Sequence, residues 1–170
     1  MRNIETDRLV LRPWTKEDLD DFHAYARDKR VGPAAGWSPC ADMIESRGML
    51  EGLIENERAW AITLRENRRA IGHVKLSPDT NRGRFRAMYI SYALSPDCWG
   101  NGYMAEAARA VIDYAFEHLE IEMISAFHYP ENLRSRRVLE KCGFECEGIA
   151  GMARRTDGSL SDMVCWSLMK

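Results

Sequence analysis

Long apolar runs are missing from this sequence, and its first residues contain no apolar segment. No stretch approaches the roughly 18 uninterrupted apolar residues that a membrane helix needs. The N-terminal stretch MRNIETDR is polar and charged. Because an export signal requires an apolar core, we expect no signal peptide. The sequence therefore predicts a cytoplasmic protein without a membrane partner.

Regularly spaced cysteines are missing as well. The thiols are odd in number and scattered, at Cys40, Cys98, Cys142, Cys146 and Cys165. We therefore expect reduced thiols and no metal site. Cys98 precedes a predicted helix N-terminus, where the pKa of a thiol can fall. The favoured interpretation of Cys98 is still a small residue that fills a turn.

An excess of positive charge is the third absence. The net charge is -2, and nucleic-acid binding depends on clustered Lys and Arg, so no nucleic-acid partner is expected. The 170 residues are 45% hydrophobic and 29% charged, which is typical of a globular domain. With no internal repeat or linker, we predict a single domain over residues 1–170.

The most informative stretch lies in the middle of the chain. Ile90–Leu94 is an apolar run typical of a strand, and Pro96 should end it because proline cannot donate to a sheet ladder. Gly100 and Gly102 then precede an amphipathic helix pattern that runs to about His118. A strand, a glycine turn and a helix N-terminus together predict an anion site, since the first helical N–H groups lack internal partners.

More than one nucleotide-binding architecture uses this arrangement. The stretch is not a P-loop, because no Gly-Lys-Ser/Thr follows. A dinucleotide fingerprint has its third glycine three residues after Gly102, where Ala105 stands. Alanine is allowed there, so a Rossmann domain remains an alternative. That alternative is weakened because no acidic residue ends a second parallel strand about twenty positions further on.

The remaining patterns predict short strands and helices. Strands are predicted at residues 8–12, 59–64, 70–76, 85–94, 122–127, 144–148 and 160–168. Further helices are predicted at residues 16–28, 42–56 and 132–142, and a loop at 31–39. Short polar connections make the three strands between 59 and 94 antiparallel neighbours. The strand, helix and strand from 85 to 127 imply a parallel crossover.

Several motifs carry a resemblance to a known family. Trp-Gly-Asn-Gly-Tyr-Met-Ala-Glu-Ala at 99–107 follows Leu-Ser-Pro-Asp at 94–97. Other matching stretches are residues 4–14, 36–39, 70–74, 130–135 and 138–144. In this order the motifs resemble the GNAT N-acetyltransferases, closest to their RimJ/RimL-like branch, over nearly the whole chain. One departure is Met104, which stands where the family usually has a small residue.

The resemblance implies an α/β (α+β) GNAT fold. Its central sheet should be mixed and mostly antiparallel, with about seven strands, a splay between the two central strands, and about four flanking helices. Acetyl-CoA is the implied co-substrate, and no metal is implied. The implied coenzyme contacts are Tyr92, Ala93, Leu94, Trp99, Gly100, Asn101, Gly102, Tyr103, Met104, Ala105, Asn132 and Ser135.

The implied reaction moves an acetyl group to a primary amine by direct attack in a ternary complex. The acceptor is either a protein N-terminal α-amine or a small-molecule amine. Asn132 and Ser135 match an Asn-x-x-Ser motif in which Asn contacts the coenzyme and Ser protonates the sulfur. Read alone, Asn132 is first of all a helix N-cap. Trp37 and Tyr89 are the expected acceptor contacts, although Trp37 serves equally well as a cover for the core.

No residue marks the base that removes the amine proton. Tyr89 stands where related sequences often carry an acidic residue. The candidates are Tyr89, His128, Tyr129 and Glu131, and a chain of waters serves equally well. His128 has the most suitable intrinsic pKa, so it is the first candidate for the base. We predict that no single substitution among the four abolishes turnover.

Three further expectations stay open at this stage. A non-catalytic module that binds or senses acyl-CoA is the alternative function, and Tyr89 keeps it open. Arg134, Arg136 and Arg137 form either a solvated helix face or a contact to the 3′-phosphate of the coenzyme. A homodimer is expected from family habit alone.

Overall fold

The computed structural model describes residues 2–170. Strands β1 to β8 are Ile4–Glu5, Leu9–Pro13, Ala59–Leu64, Ala70–Pro78, Ala87–Leu94, Met123–His128, Glu145–Arg154 and Leu160–Met169. Helices α1 to α5 are Leu19–Ala26, Gly32–Ala35, Met43–Ile54, Tyr103–His118 and Leu133–Lys141. Single 3-10 turns stand before α1, at Lys16–Asp18, and between β5 and α4, at Pro96–Cys98.

The strands within residues 2–170 form one eight-stranded sheet, in the order β1-β2-β3-β4-β5-β6-β8-β7. Among these described strands β5 and β6 are the one parallel pair, and every other neighbouring pair is antiparallel. The mostly antiparallel sheet and the parallel crossover are thereby confirmed. A Rossmann domain is excluded, because its sheet is built from several parallel pairs. Ile4–Glu5 adds a strand too short for sequence periodicity to reveal.

β5 and β6 pair only where both strands begin. The paired residues are Ala87 with Met123, Met88 with Ile124, and Tyr89 with Ser125. Beyond Tyr89, β5 continues along β4 to Leu94, while β6 continues along β8 to His128. The two strands therefore diverge, which confirms the expected splay. One edge of β5 from Ile90 to Leu94 is left without a partner strand in the described part of the chain.

Helices cover both faces of the sheet. Successive strand residues point to opposite faces, so Leu94 packs with α4 while its neighbour Ala93 packs with α1 and α3. Five core-facing residues in the middle of α4 are 4% exposed or less: Ala107, Ala108, Val111, Ile112 and Ala115. Their three- and four-residue spacing explains why the sequence forms this helix. Each fully buried large aliphatic side chain contributes roughly 1.5–3 kcal/mol.

The segment between β2 and β3 departs from the expectations in two places. The helix predicted from residue 16 is a 3-10 turn followed by α1, which ends at Ala26. The loop predicted at 31–39 contains the short helix α2, because Pro33 fits the first turn of a helix. Gly36 ends α2 with φ +92°, which glycine adopts without strain. α3 begins where predicted, and the Asp42 carboxylate accepts from the N–H groups of Ile44 and Glu45.

No helix among the described residues is both long enough and apolar enough to span a bilayer. All five cysteines are free thiols.

Candidate functional site

The glycine turn before α4 adopts a conformation that few other residues tolerate. Gly100 has φ +82° and Gly102, the residue before α4, has φ +79°. Both values lie in the left-handed region, which costs other residues free energy. The Asn101 side chain donates to the carbonyl oxygens of Cys98 and Trp99 and holds the turn in shape. The backbone N–H groups of the first turn of α4 are therefore presented at a rigid helix N-terminus.

An arginine from the N-terminal part of the chain clamps this turn. The Arg8 guanidinium lies 2.6 Å from the Glu106 carboxylate and donates to the Asn101 carbonyl at 3.0 Å. It also lies over the Tyr103 ring, 4.5 Å from the centroid. Burial tends to raise the pKa of Glu106, but the hydrogen bonds from Thr6 and Arg8 outweigh burial and hold that pKa below its usual value.

Trp99 carries a pair of cationic side chains at the rim of the site. Its Nε1 donates to the Leu94 carbonyl at 2.9 Å, which fixes the indole against the end of β5. The Arg134 guanidinium lies 3.9 Å from the indole centroid and that of Arg30 lies 5.7 Å away. Arg30 is ion-paired with Asp28 at 2.6 Å. Of the two it is therefore Arg134 that can offer its N–H groups to an anion while the ring quadrupole holds its guanidinium.

A cavity of about 310 Å³ opens between the diverging strands, α2, the start of α4 and α5. It collects most of the residues expected from the sequence: Tyr89, Tyr92, Ala93, Leu94, Trp99, Gly100, Gly102, Tyr103, Met104, Ala105, His128, Asn132 and Ser135. Asn101 and Trp37 are not among its lining residues. Asn101 braces the glycine turn, as described above.

Trp37 is half-buried and packs against a buried aromatic cluster. Its ring packs against His73 at a centroid distance of 5.7 Å, and the Tyr25 hydroxyl lies 3.0 Å from Nδ1 of His73. Burial is the main reason that the pKa of His73 falls to about 4. Trp37 therefore packs against the core, and its role as an acceptor contact stays a prediction.

Ser135 is held from two sides in the first turn of α5. Its N–H donates to the Asn132 side-chain oxygen at 3.1 Å, and its hydroxyl lies 2.8 Å from the Tyr92 hydroxyl. The Asn132 amide also donates to the Ala34 carbonyl at 3.2 Å, which ties α5 to α2. Burial raises the pKa of Tyr92, so its phenol stays protonated at neutral pH. The sequence marked Tyr92 for its backbone and gave no signal for its hydroxyl.

His128 ends β6 at the cavity, and its tautomer follows from one contact. Its Nδ1 lies 2.8 Å from the carbonyl oxygen of Tyr129, which can only accept, so Nδ1 carries the hydrogen. In the neutral ring, Nε2 then keeps its lone pair. Nε2 is buried and has no hydrogen-bond partner among the described residues. A buried base with a free lone pair can accept a proton.

An aromatic wall lines the cavity at the base of the splay. The Tyr89 and Phe127 rings stack with centroids 5.2 Å apart, and the Tyr129 ring stands edge-on to Phe127 at 6.4 Å. Glu131 forms an ion pair with Arg155 at 2.5 Å. Sequence reasoning missed Phe127, because one more apolar residue in a strand carries no signal of function.

Cys98 and Met104 are both buried side chains that serve in packing. Cys98 lines the cavity but is 6% exposed, and burial raises the pKa of its thiol. The prediction that Cys98 fills the turn is therefore confirmed, and the alternative of a lowered thiol pKa is wrong. The Met104 side chain packs in the core cluster under α4. No group of three His, Cys, Asp or Glu side chains among the described residues is arranged to hold a metal ion.

The basic cluster on α5 divides into members with different surroundings. Arg134 and Arg137 line the cavity. Arg136 does not line it, and its Nε donates to the Glu140 carboxylate at 2.8 Å. Arg136 thus forms a solvated ion pair, whereas Arg134 and Arg137 lie at the rim of the cavity.

Comparison with known proteins gives the class to which this fold and site correspond. A family model of the acetyltransferase (GNAT) domain matches residues 8–145. The ribosomal protein uS5-alanine N-acetyltransferase of Escherichia coli K12 is 32% identical, over 97% of this chain and 89% of that protein. The chain belongs to the GNAT acetyltransferase family, in its RimJ/RimL-like branch.

Solved structures agree with this assignment at the level of the fold. A GNAT-family acetyltransferase from Bacillus anthracis superposes with a TM-score of 0.86 at 22% identity, covering 99% of this chain and 98% of that one. The microcin C7 self-immunity acetyltransferase MccE, solved with acetyl-CoA and AMP, gives 0.82 at 18% identity, covering 97% and 94%.

Proposed function

We propose that this chain acts as a single domain that transfers the acetyl group of acetyl-CoA to a primary amine. The amine, either a protein N-terminal α-amine or a small-molecule amine, attacks directly in a ternary complex. The observation that carries the proposal is the divergence of β5 and β6 beside the N-terminus of α4. A homologue named for alanine N-acetylation of a ribosomal protein and a structural neighbour crystallised with acetyl-CoA support it.

The cleft has the groups that each part of the coenzyme needs. The free edge of β5 from Ile90 to Leu94 offers backbone groups that an extended amide chain can pair with as an added strand. The helix N-terminus after Gly102 suits a diphosphate, because its N–H groups and its dipole favour negative charge. Arg134 on Trp99 adds positive charge at the rim. Acetyl-CoA supplies the activated thioester, and the chain supplies the following three functions.

Main-chain N–H groups of β5 near Tyr92 to Leu94 stabilise the negative charge that develops on the carbonyl oxygen. The Ser135 hydroxyl donates a proton to the departing sulfur. Its orientation is fixed by the Tyr92 hydroxyl and by the Asn132 cap, which supports this assignment.

His128 takes the amine proton. Its Nδ1 hydrogen is used by the Tyr129 carbonyl, so Nε2 is the proton acceptor in the neutral ring. General base catalysis contributes roughly 10²–10⁴-fold. A water molecule can replace the imidazole in part, so we expect its loss to slow turnover without abolishing it.

The experiment combines calorimetry with initial-rate kinetics. Titration should show acetyl-CoA binding, and thiol release should require an amine. Double-reciprocal plots at several amine concentrations should intersect, as a ternary complex demands, instead of running parallel. Binding without thiol release on any amine would instead favour the acyl-CoA sensing module.

A substitution of His128 tests the base. His128→Asn keeps an amide donor for the Tyr129 carbonyl and removes the imidazole base. We expect kcat to fall about 100-fold, with the Kd of acetyl-CoA unchanged. An unchanged kcat would remove His128 from the mechanism.

A further inference from the structure

The aromatic wall on the splay side of the cavity contains Phe127, to which neither the sequence nor the proposed function gives a role. It consists of Tyr89, Phe127 and Tyr129, whose rings contact one another in sequence. Phe127 is 38% exposed although it stands in a central strand. An exposed ring within a cavity retains apolar surface that a bound ligand can cover.

The charged side chains that line the cavity are of one sign, although Arg30 among them is paired with Asp28. Among the described residues that line it there is no Asp or Glu, whereas Arg30, Arg134, Arg137 and Lys141 all line it. A polyamine or another polycationic acceptor needs carboxylates to receive its additional ammonium groups. The lining offers none to such a ligand.

Two carboxylates beside the aromatic wall are already engaged. Asp79 accepts from the Ser125 hydroxyl and pairs with Arg82 at 3.2 Å. Glu131 pairs with Arg155, whose guanidinium lies 4.1 Å from the Tyr129 centroid. Each of these carboxylates therefore already balances the charge of one arginine.

We infer that the acceptor is a primary monoamine with an aromatic or large apolar group beside the reacting nitrogen, and that Phe127 determines this preference. The inference rests on the proposed function and names the acceptor class of the same site. The acceptor group covers the exposed Phe127 ring, and the single amine extends from it toward the gap between the diverging strands. A second ammonium group would find no carboxylate among the described residues that line the cavity.

The test measures kcat/KM for three acceptors at one pH. Phenylalaninamide and alaninamide have α-amines of nearly the same basicity and differ in the aromatic ring, while spermidine supplies several positive charges. We expect phenylalaninamide to exceed alaninamide by at least about tenfold, the equivalent of one good aromatic contact plus its buried area. Spermidine should be the poorest acceptor.

Two variants assign the preference to a residue. Phe127→Leu keeps an apolar side chain and removes the ring, and it should reduce the phenylalaninamide to alaninamide ratio by several-fold with the KM of acetyl-CoA unchanged. Phe85→Leu is the matched control, because Phe85 is 48% exposed and does not line the cavity. This control should keep the wild-type ratio.

The outcomes separate the two levels of inference. Spermidine as the best acceptor, or an unchanged ratio in Phe127→Leu, would overturn the acceptor assignment and leave acetyl transfer standing. No thiol release with any of the three amines, or with a wider amine panel, would overturn the proposed function and this inference together.

Discussion

The hydroxyl groups of Tyr92 and Ser135 lie 2.8 Å apart and join β5 to α5 across 43 positions of the chain. The Tyr92 hydroxyl also lies 3.3 Å from the Ser135 carbonyl oxygen, an acceptor on the same residue. The Tyr92 phenol has one hydrogen, and the shorter of the two contacts is the one to the Ser135 hydroxyl. When Tyr92 donates to that hydroxyl, Ser135 keeps its own hydrogen for the sulfur of the coenzyme.

Tyr92→Phe should therefore act through Ser135. We expect kcat to fall about fivefold, the equivalent of one hydrogen bond of about 1 kcal/mol, with the KM of acetyl-CoA little changed. In a Ser135→Ala background the same substitution should have no further effect on kcat, because coupled residues are not additive. Equal losses in both backgrounds would show that Tyr92 contributes packing alone.

The basic residues of α5 should differ in how much their loss weakens coenzyme binding. Arg134→Ala and Arg137→Ala remove cations that line the cavity, so both should raise the Kd of acetyl-CoA several-fold. The increase should shrink at high salt, because screening weakens exposed charge interactions. Arg136→Ala is the control on the same helix and should leave the Kd unchanged, since Arg136 pairs with Glu140.

Coenzyme analogues refine this experiment. If Arg137 contacts the 3′-phosphate, Arg137→Ala should weaken the binding of acetyl-CoA far more than the binding of 3′-dephospho-acetyl-CoA. Equal weakening of both analogues would place the contact elsewhere on the coenzyme, and no weakening in either arginine variant would leave the cluster as a solvated helix face.

Gly72→Ala in β4 should displace the neighbouring strand β5 and so disturb its free edge. A Cβ at Gly72 would stand 2.2 Å from the Ala93 carbonyl oxygen and 2.9 Å from the Leu94 Cα, so β5 must shift to admit it. We expect a destabilisation of roughly 1–3 kcal/mol, as for other overpacked sites, and weaker acetyl-CoA binding. Chemical denaturation and calorimetry measure the two effects.

Gly48→Ala is the matched control for that substitution. Gly48 lies within α3 and a Cβ there meets nothing within 4 Å. Alanine should stabilise the helix by up to about 1 kcal/mol and leave coenzyme binding unchanged. If Gly72→Ala behaves like Gly48→Ala, then β4 does not position the free edge of β5.

His73 should make stability depend on pH. Burial lowers the pKa of His73 from 6.5 to about 4, so as pH falls the unfolded chain takes up a proton that the folded chain refuses. The part of the free energy of unfolding that comes from neutral His73 is complete above pH 6.5. It is lost as pH falls from 6.5 to 4, and the loss amounts to about 3 kcal/mol. His73→Asn lacks a titratable group and should remove this part of the slope in urea unfolding measured across that range. An identical slope in the variant would contradict the assignment.

Local sequence patterns were sufficient where one face of an element decides its structure. The repeat of small apolar residues after Tyr103 predicted α4 through His118, its observed last residue. Asn132 before α5 and Gly143 after it, with φ +83°, are terminal signals that act within one turn. Strand β1 was missed because two residues establish no alternation.

Side-chain partnerships across the fold left no comparable trace in the sequence. The clamp of Arg8 on the turn at Asn101 joins residues 93 positions apart. The stack of Tyr89 on Phe127 depends on how two parallel strands are placed side by side. The contact of Trp37 with His73 is likewise a product of the fold, and its role as an acceptor contact stays a prediction.

The sequence by itself determined the elements of this protein, its glycine turn and its family resemblance, because propensity, capping and positive φ are properties of neighbouring residues. Only the tertiary structure decided where β5 and β6 separate, which hydroxyl faces Ser135, and which nitrogen of His128 keeps its lone pair. Each of these depends on groups that meet through the packing of distant segments, and one-dimensional spacing does not record such encounters.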